Sequence, residues 1–459
     1  MHLDLAQPDV AAARRERLAG ALGGQRALLF AGQARPRNYP DAPYPFRASS
    51  HFLYFVGLGI EHAVLLVDGA ESTLFVTPPE PADELWHGPV PDLEAIAAAV
   101  GCAVRPLVEL TSHVEGAATI AAVDVRTRLE QEQLLGRGLV DPTSEALEDT
   151  DATLIDAVIA CRSIHDEAAI AGLRNAADGT AAAHLAGMAA TRAGLTEFAV
   201  RAAMESAAMA RSMGTAYGSI VTVHGEVLHN DSYHHTLQDG DLLLADVGAE
   251  SPRGWAGDVT RTWPVSGRFS ATQRTAYEIV LRAQAAAIEE VKPGARYRDV
   301  HLAACRALTA GLVDIGVLKG DVHTLVADGV HALFFPHGVG HLIGLDVHDM
   351  EDLGDRAGYA SGRSRSAQFG LAYLRCDRDL APGMAVTIEP GFYQVPAILA
   401  DEKLSALAGD RLDRAELAKF GDVRGIRIED DVLVTASGRD VLTNRIPKQV
   451  ADVEACVSP

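Results

Sequence analysis

An α/β domain followed by an α+β domain is the fold class the sequence predicts, and three observations carry it. The chain has 459 residues, too many for one ordinary hydrophobic core. Residues 1–162 interleave short apolar runs with short helical stretches. Residues 163–459 place long Ala-rich helical segments ahead of strands and loops, the order of an α+β layer arrangement.

In the first domain, residues 14–22 read as a helix. Residues 27–31, 52–56, 64–67 and 73–76 are apolar runs of strand length. Asp68-Gly69 between the last two is a hairpin signal. Residues 32–50, rich in Pro and Arg, read as a loop, and a helix over 92–100 ends at Gly101. In the second domain, residues 166–191 carry Leu, Ile and Met at helical spacing behind an acidic first turn. Further helices fit 197–213, 272–291 and 299–316, the second of these stopped by Pro293-Gly294. Strands fit 219–224, 242–247, 386–389, 426–429 and 432–434.

Composition narrows function by exclusion. Apolar residues make up 48% and charged residues 22%, ordinary for a globular protein. Cys102, Cys161, Cys305, Cys376 and Cys456 never form a CxxC pair. That opposes a disulfide framework and a thiolate metal site, and suits a reducing cytoplasm. The first residues have no apolar core of the secretory kind, and no stretch approaches 18 apolar residues. A net charge of −22 repels phosphate backbones and anionic lipid, so neither nucleic acid nor membrane is an expected partner.

The chemistry lies in four carboxylates and an imidazole: Asp246 in LLLADVGAE, Asp258 in GWAGDVTRT, His341 in HGVGHLIGL, Glu389 in VTIEPGFY and Glu429 in GIRIEDDV. Brought together, they describe a site for two divalent cations, able to make hydroxide near neutral pH. Pairing Glu250 with Gly254 across a turn sets Asp246 directly opposite Asp258, with Cβ atoms about 4.5–5.5 Å apart. Two carboxylates that close favour a cation or a proton between them. Read alone, the pair also fits two acids on a solvated strand face. Arg427 and Glu429, two apart, point the same way; an arginine there can hold a neighbouring acid ionised. Glu389 closes a strand before Pro390-Gly391. His337, His341 and His348 are interleaved with Gly338, Gly340 and Gly344, which suggests close backbone approach. His224, His229, His234 and His235 form a second histidine group. Oxygen-rich ligation with one imidazole favours Mn²⁺, ahead of Zn²⁺ or Co²⁺. No P-loop and no GxSxG nucleophile elbow is present.

These motifs, with YPFRASSHFLYFVGL and HAVLLV in the first domain and VLHN in the second, occur in the order of a known family. The chain resembles the proline-specific metallopeptidases of the pita-bread fold, aminopeptidase P and its relative prolidase, over nearly its whole length. The resemblance implies an N-terminal aminopeptidase P-type domain (1–162) and a pita-bread catalytic domain (163–459). It implies Asp246 on one metal, Asp258 and Glu429 bridging, and His341 and Glu389 on the other metal. Glu389 would also act as general base, and His348 would contact the scissile carbonyl. His229 and His337 would be further substrate-binding histidines, and Arg427 would support Asp246 in catalysis. Substrates would be peptides beginning Xaa-Pro, cut by a homodimer or homotetramer, with Trp86 able to reach a neighbouring subunit's site. Prolidase activity on Xaa-Pro dipeptides is the alternative, and a non-catalytic peptide-binding module a more distant one. Two insertions depart from the family pattern, 357–379 and 395–424; both are expected at the rim of the pocket.

Overall fold

The computed structural model describes residues 2–80, 83–144 and 146–457. Contacts divide the chain into two compact units. One runs through Ser163 and includes Met350–Ala357; the other comprises Ile164–Asp349 and the chain from Gly358 onward. Met350–Ala357, inside the 163–459 range of the sequence reading, thus packs with the N-terminal unit.

The N-terminal unit is built on a five-stranded sheet in the order Ala103–Pro106, Glu71–Val76, Val64–Asp68, Ala27–Phe30, Ala118–Thr119. The central pairs are antiparallel and the two edge pairs parallel. Asp68 pairs with Glu71, and Gly69 takes φ 58° in the turn, the positive φ that a two-residue hairpin loop needs. Residues 52–56 are not a strand. They lie in the helix Ser50–Val56, where Ser50, His51, Phe52, Tyr54, Phe55 and Val56 are all buried. A short run buried on nearly every side shows no period that separates helix from strand.

The terminal carbonyls of that helix need partners. Buried Arg15 supplies them, donating to Phe55 O at 2.9 Å and to Val100 O and Gly101 O at 3.0 and 2.8 Å. One guanidinium therefore closes two helix C-termini, where positive charge also suits the helix dipole. Met350–Ala357 is held by His51, whose Nε2 lies 2.9 Å from Asp352 Oδ2 while Arg162 reaches its Nδ1 at 2.7 Å.

The second unit begins with the helices Glu167–Ala190 and Glu197–Met209. Asp166 and Thr196 start them by accepting from the backbone N–H of Ala169 and Ala199. An antiparallel sheet follows in the order Thr260–Pro264, Leu242–Asp246, Ile220–Thr222. The helix is Ala- and Gly-rich because the chain behind it is close. A Cβ at Gly172 would fall 2.2 Å from Trp255. Two more helices, Ala271–Glu290 and Tyr297–Asp314, precede the strands Ala385–Ile388, Asp430–Thr435 and Gly438–Val441. Gly391–Tyr393 pairs separately with Gly425–Arg427. Among the described residues, no helix is long and apolar enough to cross a membrane.

Candidate metal centre

The hairpin that carries the two aspartates has a different register from the sequence reading. Asp246 pairs with Thr260, not with Asp258. Ser251 N–H donates to Trp255 O, so the loop is Pro252-Arg253-Gly254, with Gly254 at φ 86°. A three-residue loop ending on a left-handed glycine is a common hairpin connection. The register therefore slips by two residues, and a two-residue slip returns every side chain to the same face. Asp246 and Asp258 still converge. Tyr217 Oη lies 2.5 Å from Asp246 Oδ1 and 2.6 Å from Asp258 Oδ1.

The histidine segment reaches the site along the edge of Ala385–Ile388. Thr387 N–H donates to His341 O at 3.0 Å, Ile343 N–H to Ala385 O at 3.2 Å, and Glu389 N–H to Val339 O at 2.7 Å. The glycines permit this approach: a Cβ at Gly340 would meet Thr387 O at 2.3 Å and one at Gly338 would meet Leu374 Cα at 2.8 Å. The loop turns back through Asp349 N–H to Leu342 O, which sets the His348 ring edge-on to His341 at 4.3 Å between centroids.

His341 Nδ1 lies 2.9 Å from Leu342 O. Donation there turns Nε2 inward, 3.3 Å from Asp258 Oδ2 and 3.8 Å from Glu389 Oε1. A neutral imidazole would then point a lone pair at two carboxylates, so the gap calls for a proton or a cation. Asp258, His341 and Glu429 offer ligand atoms within 4.8 Å of one another. Without a cation, burial and neighbouring acids push Asp258 and Glu429 up. Burial also pushes Glu389 up, against the pull of His341 and Arg427. His341, though buried, is raised to about 9 by Asp258 and Glu389. The donor set thus fits divalent cations, which would replace these protons; a backbone carbonyl behind a ligating imidazole is the usual outer support.

Arg427 braces the site through three separate bonds. Its Nη2 donates to Asp246 Oδ2 at 2.6 Å, its Nε to Thr260 Oγ1 at 2.9 Å, and its Nη1 to Tyr393 Oη at 3.1 Å. Thr260 Oγ1 in turn donates to Glu429 Oε2 at 2.7 Å. Tyr393 Oη lies 2.9 Å from His337 Nε2, and His337 Nδ1 2.8 Å from Gly338 O. Behind Asp258, its backbone N–H donates to buried Asp431 at 3.1 Å. Burial and Arg427 lower His337 to about 3 and also lower His229. Burial and His341 lower His348 to about 2. All three histidines are thus shifted toward the neutral imidazole.

A cavity of about 880 Å³ is lined by Asp246, Asp258, His341, Glu389 and Glu429, and also by His229, His337, His348 and Arg427. Every site residue singled out in the sequence therefore meets in one place. His224, His234 and His235 do not line it. Both insertions do, through Arg365, Phe369, Tyr373 and Arg375 from the first and Ile398 from the second. The sequence reading missed Tyr217, Thr260, Tyr393 and Asp431. Thr260 was readable, two residues past Asp258 and so on its face. Tyr393, four residues past Glu389, carried a weaker hint. Tyr217 stands outside any strand and gave no signal. Trp86, placed by the sequence reading near a neighbouring subunit, is 77% exposed in the N-terminal unit.

Comparison with known proteins agrees with this geometry. Residues 171–436 match the metallopeptidase family M24, and residues 11–123 match the aminopeptidase P N-terminal domain. The Xaa-Pro aminopeptidase of Escherichia coli K12 is 32% identical, with 94% of this chain and 93% of the relative covered. The human Xaa-Pro dipeptidase is 30% identical, with 95% and 89% covered. The solved structure of Pseudomonas aeruginosa aminopeptidase PepP superposes with a TM-score of 0.80 at 30% identity, covering 99% of this chain and 98% of that one. The chain belongs to metallopeptidase family M24, with an aminopeptidase P-type N-terminal domain ahead of a pita-bread catalytic domain.

Proposed function

We propose that this M24 metallopeptidase is a Xaa-Pro aminopeptidase, releasing the N-terminal residue from peptides with proline in second position. The observation that carries it is the convergence of Asp246, Asp258, His341, Glu389 and Glu429 on one cavity that is also lined by neutral histidines. Relatives covering nearly the whole chain bear the Xaa-Pro name.

The five residues would hold two divalent cations, with Mn²⁺ ahead of Zn²⁺ or Co²⁺ for four carboxylates and one imidazole. When bound, the ions supply a lowered pKa for water and positive charge beside the carbonyl oxygen. Glu389, its carboxyl raised by burial, takes a proton from the attacking water and returns it to the departing proline nitrogen. That nitrogen belongs to a tertiary amide without an N–H, in a ring of fixed φ. His348, neutral, donates its ring N–H to the carbonyl oxygen as charge develops there. His229 and His337 shape the wall around the substrate. Arg427 positions Asp246 and touches no reacting atom.

One observation favours a second reading, a Xaa-Pro dipeptidase. Arg365 and Arg375 bring positive charge into the cavity, where the free carboxylate of a dipeptide would be attracted. The test is kcat/KM on Gly-Pro against a Xaa-Pro tripeptide. A preference for the tripeptide supports the aminopeptidase; hydrolysis of Gly-Pro alone overturns it.

Five free thiols support a cytoplasmic setting. Leu85 and Trp86, each 77% exposed, support a homodimer or homotetramer, tested by sedimentation of the active enzyme.

A further inference from the structure

The catalytic unit contains a second cluster of donors that the peptidase chemistry does not use. His301 and Cys305 stand one turn apart on the helix Tyr297–Asp314, and His331 comes from the short turn Val330–Leu333. All three are fully buried. Each offers a ligand atom, and these atoms lie within 4.8 Å of one another. His301 Nε2 is 3.3 Å from Cys305 Sγ. Neither ring nitrogen of His331 has a hydrogen-bond partner. Buried polar atoms are nearly always paired; an apolar side chain would fill that space without stripping water from two nitrogens. Spacing rules built on cysteine pairs do not register such a site, because its His and Cys are four apart on a helix and its third donor is 26 residues further on.

We propose that His301, Cys305 and His331 form a three-coordinate site for a monovalent thiophilic cation, Cu(I). Soft thiolate with imidazole selects such an ion. Charge decides between Cu(I) and Zn²⁺. One thiolate and one Cu(I) sum to zero, which a dry interior accepts. One thiolate and Zn²⁺ leave a net positive charge, and the groups acting on His301 and Cys305 include Arg298 and Arg306, themselves positive, and no carboxylate. Zn²⁺ also takes four ligands in closed structural sites, and three are present here. Binding breaks the Cys305 S–H bond, forms one S–Cu and two N–Cu bonds, and releases one proton to solvent; no electron is transferred. Burial raises the Cys305 thiol and lowers both imidazoles, which favours the neutral rings that offer a lone pair.

The covering segment belongs to the first insertion. Gly370, at φ 88°, packs on the cluster, and a Cβ there would lie 3.2 Å from His331 Nε2 and 2.6 Å from Ala332 Cβ. His301 also packs on Phe335, which is edge-on to His337 of the peptidase cavity. The site is thus one aromatic ring removed from the substrate pocket.

The test is equilibrium competition of full-length protein with bicinchoninate for Cu(I) under anaerobic, reducing conditions, followed by copper K-edge absorption. Wild type is expected to hold one Cu(I) more than Cys305→Ser, with one sulfur and two nitrogen scatterers. Affinity should fall in the variant by more than the ~10–100-fold that loss of an outer-shell partner costs. His331→Phe should remove one nitrogen scatterer, and it serves if Cys305→Ser does not fold. Equal Cu(I) content in wild type and both variants, a copper shell without sulfur, or preferential uptake of Zn²⁺ at the same residues would each overturn the proposal.

Discussion

Residues 167–264 and, leaving out 350–357, residues 271–435 of the catalytic unit follow the same layout and solve one problem differently. Each opens on two helices joined by a turn with a left-handed glycine (Gly194 at φ 87°, Gly294 at φ 80°), and a later antiparallel strand pair delivers two acids. In the first passage the acids sit on one hairpin, Asp246 and Asp258, with Thr260 opposite Asp246. In the second, the last pair is Ile388↔Asp430. One further step in that register sets Glu389 opposite Glu429, across an insertion. Neither passage holds its acids alone. Arg427 of the second braces Asp246 of the first, and Thr260 of the first braces Glu429 of the second. Arg261 and Asp430, both fully buried, pair across the same seam at 2.7 Å. The difference teaches that the acids are local features, whereas their orientation is a property of the seam.

The sharpest way to break the comparison is to remove a ligand. Glu389→Gln keeps the shape and deletes an oxygen proposed both to bind metal and to carry the proton. Turnover of a Xaa-Pro peptide should fall by at least the ~10²–10⁴-fold associated with a general base. A variant within a few fold of wild type would remove Glu389 from the mechanism.

Cutting the seam itself should cost stability. Asp430 is held down to about 2, chiefly against its burial, by Arg261 and Lys448, and it also accepts from Gln284 at 2.9 Å and Thr443 at 2.8 Å. Asp430→Asn leaves Arg261 buried without its counter-charge, a loss of about 3–5 kcal/mol for a broken buried pair. The pH sign follows from the lowered folded value. The unfolded chain takes the proton first, near the ordinary carboxylate value of about 4. Stability from ionised Asp430 is therefore present above that pH and is lost as pH falls through about 2. The gap between wild type and Asp430→Asn in urea melts should narrow on acidification; a constant gap would mean that packing, not charge, joins the passages.

Metal removal acts on the acids directly. Asp258 and Glu429 are raised, so the metal-free fold carries its cost above their folded values and is relieved as pH falls and they take protons. Chelation near pH 8 should lower stability by about 3 kcal/mol for each cation removed, relative to protein at a hundredfold excess of Mn²⁺ over Kd. The loss should shrink toward acid pH.

Much of this was legible before any coordinates, for physical reasons that particular residues display. The hairpin face of Asp246 and Asp258 follows from period-two alternation, which survived an error of two in register because only an odd slip changes faces. Gly101 and the acidic first turn at Asp166 marked helix ends through chemistry that acts within a few residues. The helix over Ser50–Val56 was missed because burial on nearly every side erased its period. Long-range partners leave no such local trace: Arg15 closes two helices through three backbone carbonyls, and Asp431 meets Asp258 across 173 residues. The His301–Cys305–His331 cluster went unread for the same reason, since its third member arrives on a separate turn.

The finest test concerns one hydroxyl. Thr260 is fully buried, accepts from Arg427 Nε at 2.9 Å and donates to Glu429 Oε2 at 2.7 Å. It is the point where the brace of the first passage becomes the brace of the second. Thr260→Val keeps the volume and strands one donor and one acceptor, each costing about 1–3 kcal/mol when buried and unpaired. Bound cations would engage Glu429 and so recover part of that cost. The variant should therefore be destabilised more after chelation than with Mn²⁺ present, and Thr260→Ser should restore stability in both conditions. Equal destabilisation with and without metal, in matched urea melts, would show that Thr260 supports the fold of the hairpin and not the orientation of Glu429.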